Sequence, residues 1–221
     1  ESEQTFFDLA VEGFATPGGA RVHHVQLQMS IAYPALKVRL VGFLPGIMTP
    51  GGVTHQAIED IAVLRAIPNM TIFETGDATE VESILDVAHA VNGPVYIRML
   101  RGEVSRIFPK NEPFKFNTAR ILSSGDEITL FTSGVMTEEA LRATTLLQEK
   151  GVSITHLHIS TLKPFTDPAV IKALKKAKHG VITMENHTII GGLGSAVAEV
   201  MAENAIGVRL RRIGLKDTYA H

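Results

Sequence analysis

From Lys37 onward, short apolar runs rich in β-branched residues alternate with stretches in which apolar residues return every three or four positions. Residues 38–43 read as a strand, 54–67 as a helix, 70–74 as a strand, 77–91 as a helix and 95–99 as a strand. Residues 106–118 carry Pro109, Lys110, Asn111, Pro113 and Lys115, which break the period, so this stretch reads as a linker. A second alternating unit follows, with strands at 127–132, 153–159, 180–185 and 208–213 and helices at 137–150, 167–177 and 194–204. Alternation of this kind predicts two α/β domains with mostly parallel sheets, one over 1–105 and one over 119–221. Before Lys37, Val22, Val25, Gln26 and Met29 fall at helical spacing and predict a helix over 20–32.

Composition narrows the function. A formal net charge of −2 and a pI near 6.5 argue against nucleic acid as the main partner. The chain has no cysteine, so disulfides and thiolate metal sites are excluded, and a reducing cytoplasm fits. No apolar run approaches the ~20 residues of a membrane span. The first residues do not pair a basic region with an apolar one, as a leader would. With no tryptophan and 6% aromatic residues, a stacking surface for bases or glycans is not expected. The sequence thus predicts a soluble, cytoplasmic protein with no membrane contact.

Candidate chemistry sits where Pro50-Gly51-Gly52-Val53-Thr54-His55-Gln56 leads into the predicted helix at 54–67. Glycines let a ligand approach the backbone closely. Thr54 is the expected N-cap, and Glu59 and Asp60 suit the positive end of a helix. His55 would then stand at the mouth of a cleft beside free backbone N–H groups.

Several words of this chain resemble the pyrimidine-binding domain of transketolases, which depend on thiamine diphosphate. They are Thr54-His55-Gln56, the acidic pair Glu59-Asp60, Leu64-Arg65-Ala66-Ile67-Pro68-Asn69 and Gly93-Pro94-Val95-Tyr96-Ile97-Arg98. The resemblance covers nearly the whole chain and is nearest to the C-terminal subunit of split, two-subunit transketolases. It implies a pyrimidine domain followed by a transketolase C-terminal domain. In transketolases a helix and a strand lie between the words matched near residues 4 and 5, so the first domain is expected to be incomplete on its N-terminal side. The chain is also expected to stop short of the family's usual end.

The resemblance assigns residues. His55 matches the histidine that hydrogen-bonds a substrate hydroxyl and helps move its proton. Arg101, or Arg98 deeper in the strand, matches the arginine that holds the substrate's terminal anion through a planar fork. Ser2-Glu3-Gln4 is the nearest word to the one carrying the catalytic glutamate, so Glu3 would activate the cofactor at its pyrimidine N1′. Phe7 and Phe14 lie in the stretch similar to the region packing on the aminopyrimidine ring. The family holds Mg2+ (or Ca2+) through a Gly-Asp-Gly word and later asparagines. Here Gly76-Asp77-Ala78 lacks those asparagines, and Asp77 reads as a helix N-cap. The diphosphate-binding domain and its cation are therefore expected on a partner subunit, with two copies of each chain.

Two departures stand out: Gly51 and Phe43 occupy positions that are polar in the family, which implies altered selection among ketose substrates. Glu185-Asn186-His187 and the glycines after it read as a structural turn, and His156 and His158 carry no assigned chemistry. The ending Arg212-Ile213-Gly214-Leu215-Lys216-Asp217 is similar to deoxyxylulose-phosphate synthases. Such a synthase, or a 2-oxo acid dehydrogenase β-subunit, is thus the alternative enzyme. A non-catalytic partner subunit is the alternative of another class.

Overall fold

The computed structural model describes residues 25–48 and 52–219. Two sheets form, both mostly parallel. The first, in order, holds β1 (Arg39–Phe43), β3 (Val95–Met99), β2 (Thr71–Glu74) and β7 (Thr161–Lys163). The first three run parallel, while β7 pairs antiparallel with β2. The second holds β4 (Arg120–Ser123), β6 (Ile154–His158), β5 (Ile128–Thr132), β8 (Gly180–Thr188) and β9 (Leu210–Leu215), parallel except for β4. Every residue of β2, β3 and β6 is buried, as expected of strands covered on both faces. The expectation of an α/β fold with mostly parallel sheets is borne out.

Helices α1 (Asp60–Arg65), α2 (Ala78–Ala90), α3 (Met136–Glu149), α4 (Pro168–Lys176) and α5 (Leu193–Glu203) lie close to their expected places, with one exception. The helix expected over 54–67 is broken. Val53–His55 forms a 3-10 turn, Gln56 is extended (φ −89°, ψ 108°), and the α-helix begins only at Asp60. Ala57 O accepts from Gly46 N and from Arg98 Nη2, and Ile58 O accepts from Thr188 N. The carbonyls a longer helix would need are thus taken up by tertiary bonds. Thr54 is not the N-cap: its hydroxyl lies 2.8 Å from His55 Nδ1. Of the helix expected over 20–32, the described part ends in a π-helical turn at Leu27–Ala32.

One apolar core runs through both halves. Leu64, Ile67 and Ile72 belong to the same buried cluster as Leu157, Leu162, Leu174 and Val197. Polar ties run beside it. Asp77 caps α2 through Glu80 N (2.9 Å) and also accepts from Ile107 N and Phe108 N, so it pins the connecting segment. Glu80 accepts from Ser160 Oγ at 2.6 Å and lies 3.0 Å from His158 Nε2.

Candidate active site at the carboxyl edge of the first sheet

β1 and β3 run side by side with Phe43 opposite Met99, so the chain leaves both strands at one edge. Parallel sheets bind ligands outside this edge. From β3 the chain passes through Leu100 to the exposed Arg101, which makes no ion pair among the described residues. From β1 it enters a short arm, Gly46–Met48, and a second arm, Val53–His55, leads on toward α1. Gly52, with φ of +71°, takes the left-handed turn that starts the second arm. Gly46 N donates to Ala57 O at 2.9 Å and ties the two arms together.

His55 is exposed on the second arm. Its Nδ1 is engaged by the Thr54 hydroxyl, while Nε2 has no partner among the described residues. The Thr54 bond orients the ring, and Nε2 remains available to a ligand as donor or acceptor according to tautomer. Phe43, Ile47, Met48 and Val53 are exposed apolar side chains on the same strand end and arms.

Beneath this edge lies a buried ionic cluster. Arg98 is fully buried; its Nε donates to Asp60 Oδ2 at 2.9 Å and Nη1 donates to Glu74 Oε1. Nη2 donates to Ala57 O and Asn186 O, both at 2.9 Å. Burial opposes the guanidinium's charge, but Asp60 and Glu74 outweigh it and raise its pKa. Burial likewise pushes Asp60 upward, yet Arg98, His187 and the Tyr96 hydroxyl (2.6 Å) hold it below the usual carboxylate range. The expectation that Arg98 meets substrate does not fit this placement: strand pairing sets Arg98 beside Glu74, and its donors are engaged by protein groups. Register and burial turn it inward to the joint between the halves.

The second half reaches this cluster through the end of β8. Asn186 Nδ2 donates to Pro45 O at 2.9 Å, and its Oδ1 accepts from Ile47 N at 3.1 Å. Glu185 accepts from Leu193 N (2.7 Å) and Gly194 N (2.9 Å) at the start of α5. Burial pushes its pKa up to about 7, against the pull of those two N–H groups. His187 is buried with its pKa lowered by desolvation and by Arg98. None of these contacts was visible in a stretch read only as a turn. The available signal was three polar residues closing a buried strand, where solvent cannot satisfy them.

Sequence models of known families cover both halves. The model described as "Transketolase, pyrimidine binding domain" matches residues 3–106, and "Transketolase, C-terminal domain" matches 117–221. The chain belongs to the transketolase family. Among the relatives of this transketolase-family chain is the 6-deoxy-6-sulfo-D-fructose transketolase subunit SqwH of Clostridium sp. (strain MSTE9), 40% identical over 88% of this chain and 60% of the relative. A putative transketolase C-terminal section of Methanocaldococcus jannaschii is 38% identical over 86% of this chain and 60% of the relative. An apulose-4-phosphate transketolase subunit of Actinobacillus succinogenes is 34% identical over 87% of this chain and 62% of the relative. The chain thus spans about three-fifths of the length of these relatives. A solved split gene transketolase, described as an inactive beta4 tetramer, superposes with a TM-score of 0.83 at 33% identity, covering 94% of this chain and 65% of that one.

A thiamine diphosphate site needs apolar walls for its rings and a carboxylate beside the pyrimidine. At this edge the described apolar side chains of this transketolase-family chain are Phe43, Ile47, Met48 and Val53, each exposed. Glu3, Phe7 and Phe14, expected to supply the carboxylate and ring contacts, lie outside the described residues, as does Gly51. Among the described residues no group of three or more His, Cys, Asp or Glu side chains could hold a metal ion, and no helix is long and apolar enough to cross a membrane.

Proposed function

We propose that this chain is the pyrimidine- and C-terminal-domain subunit of a split, thiamine diphosphate-dependent transketolase. It would move a two-carbon ketol unit from a ketose bearing a terminal phosphate or sulfonate to an aldehyde. The observation that carries the reading is His55, whose ring is oriented by Thr54 and whose Nε2 is unengaged among the described residues at the carboxyl edge of the sheet. Membership of the transketolase family supports the chemistry, and the split-gene relatives support the subunit arrangement. A partner subunit would bring the diphosphate-binding domain with its Mg2+ or Ca2+, two copies of each chain assembling.

Thiamine diphosphate, when bound, supplies the carbon that accepts the ketol fragment. The chain's own residues do the rest. Nε2 of His55 would hold a substrate hydroxyl and take or return its proton as the carbon–carbon bond breaks and forms. Arg101, exposed beyond β3, would clasp two oxygens of the terminal anion. Glu3 would hold the pyrimidine nitrogen, with Phe7 and Phe14 packed on the ring. Phe43 replaces a polar family residue with an apolar, exposed one, which would shift preference among ketoses.

The test is turnover of a panel of phosphorylated and sulfonated ketoses by the chain co-expressed with a diphosphate-domain subunit, with His55→Ala in parallel. Turnover should require both subunits and fall about a hundredfold or more in His55→Ala. A complex that binds cofactor but turns nothing over would leave this chain a non-catalytic partner.

A further inference from the structure

We infer that Asn186, in the C-terminal domain, is a positioning residue for the arms that carry His55. The inference rests on the reading of His55 as a catalytic group and adds a role for the second domain in the same site. Asn186 is buried and bonds the first arm at two points, donating to Pro45 O (2.9 Å) and accepting from Ile47 N (3.1 Å). Its backbone O accepts from Arg98 Nη2, the same nitrogen that donates to Ala57 O, two residues past the second arm. Two residues on, Thr188 N donates to Ile58 O at 2.8 Å. The end of β8 therefore holds the chain at Pro45 and Ile47 before His55 and at Ile58 after it, and Gly46 N to Ala57 O joins the two stretches to each other.

The fit leaves no slack. A Cβ on Gly46, whose φ is +64°, would stand 2.3 Å from both Asn186 O and Asn186 Oδ1. An arm held this closely fixes the entry of the chain to His55 without touching the ring. A catalytic hydrogen bond depends on sub-ångström placement, so loosening the grip should lower turnover more than ligand binding.

The experiment uses the full chain, alone for amide hydrogen exchange and with the diphosphate-domain subunit for kinetics. The variants are Asn186→Ala, Gly46→Ala and the pair together. The informative amides are Gly46 and His55, whose acceptors, Ala57 O and Gly52 O, are not on Asn186. In Asn186→Ala both should exchange about tenfold faster, while Ile72 and Ile97 in the sheet keep their protection. The same variant should lower kcat about tenfold or more with the KM for thiamine diphosphate unchanged. Gly46→Ala should reproduce both effects, and the double variant should be no worse than the worse single, since both release one grip.

The inference is overturned if Gly46 and His55 stay protected in Asn186→Ala, or if Ile72 and Ile97 open equally, which is destabilisation without positioning. Turnover unchanged with the arms loosened would also overturn it. A wild-type complex that turns nothing over would sink the transketolase reading, and the exchange pattern would still decide whether Asn186 holds the arms.

Discussion

Arg98 shows how far one side chain's surroundings can redirect it. In the sequence it lies deeper in the Gly-Pro strand than Arg101, and the resemblance leaves both as candidates for holding a substrate's terminal anion. The separation comes from pairing: β2 sets Glu74 beside it, and α1 brings Asp60 within 2.9 Å. A buried cation with two carboxylates is held mainly against the cost of losing a partner. Arg98→Met would leave Asp60 and Glu74 buried without their counter-charge. A loss of about 3–5 kcal/mol is expected in urea unfolding, with Arg101→Met near wild type in the same assay. Equal stabilities would mean that Arg98 is not the hub of the joint. His55 is named by its sequence word, but its setting is not: in place of the expected helix start, the chain on either side of it is tied to Asn186, Arg98 and Thr188.

At the scale of elements, the strands and most helices were legible because their periods are strong and their caps local. Asp77 and Asp167 both cap the helices they precede. The helix expected over 54–67 failed because its carbonyls bond to Gly46 and to Arg98 and Thr188, the last two far away in sequence. β4 and β7 were missed because four- and three-residue strands carry too little pattern to register.

Helix α5 carries the pH prediction. Its N-terminal Leu193 and Gly194 amides donate to Glu185, whose pKa in the folded chain is about 7 against an ordinary 4.5. Between those values the folded chain holds a proton that the unfolded chain has released, so this group makes stability fall as pH rises. The effect is absent below pH 4.5, complete above 7 and worth up to about 3 kcal/mol. Glu185→Gln removes it. Chemical denaturation at pH 4.5 and 8 should show the variant gaining on wild type by about that amount toward the higher pH. Parallel curves would show that the carboxyl titrates normally. His156 works in the opposite sense: burial and then His158 lower its pKa to about 4, so it adds stability as pH rises toward 6.5.

At the scale of the molecule, two alternating units separated by a proline-broken stretch predict two α/β domains. The structure shows a core cluster shared by both halves, with Leu64 and Ile72 beside Leu157 and Val197, next to a smaller cluster in each half, and polar ties run from Glu80 to Ser160 and from Arg98 to Asn186. Calorimetry of the full chain should therefore show one unfolding transition, with calorimetric and van't Hoff enthalpies in agreement. Two resolved transitions would mean that the joint is weaker than its contacts indicate. Amphipathic period reports which face of an element is buried but not which neighbour buries it, so this union was out of reach of the sequence.

The strand β7 has a consequence for how the protein is made. β2 is flanked by β3 on one side and by Thr161–Lys163 on the other, and those three residues belong to the later half of the chain. While the polypeptide is emerging from the ribosome, the early sheet, whose last early strand β3 ends at Met99, waits with β2 as an open rim until some sixty further residues have been synthesised, an interval of about 3–13 s at ordinary elongation rates. Through that interval Ile72 and Phe73 present an apolar, hydrogen-bond-hungry border of the kind that recruits stray strands. The late strand thus acts as a closing stitch, and the nascent chain's exposure to chaperones is written into the order of its strands.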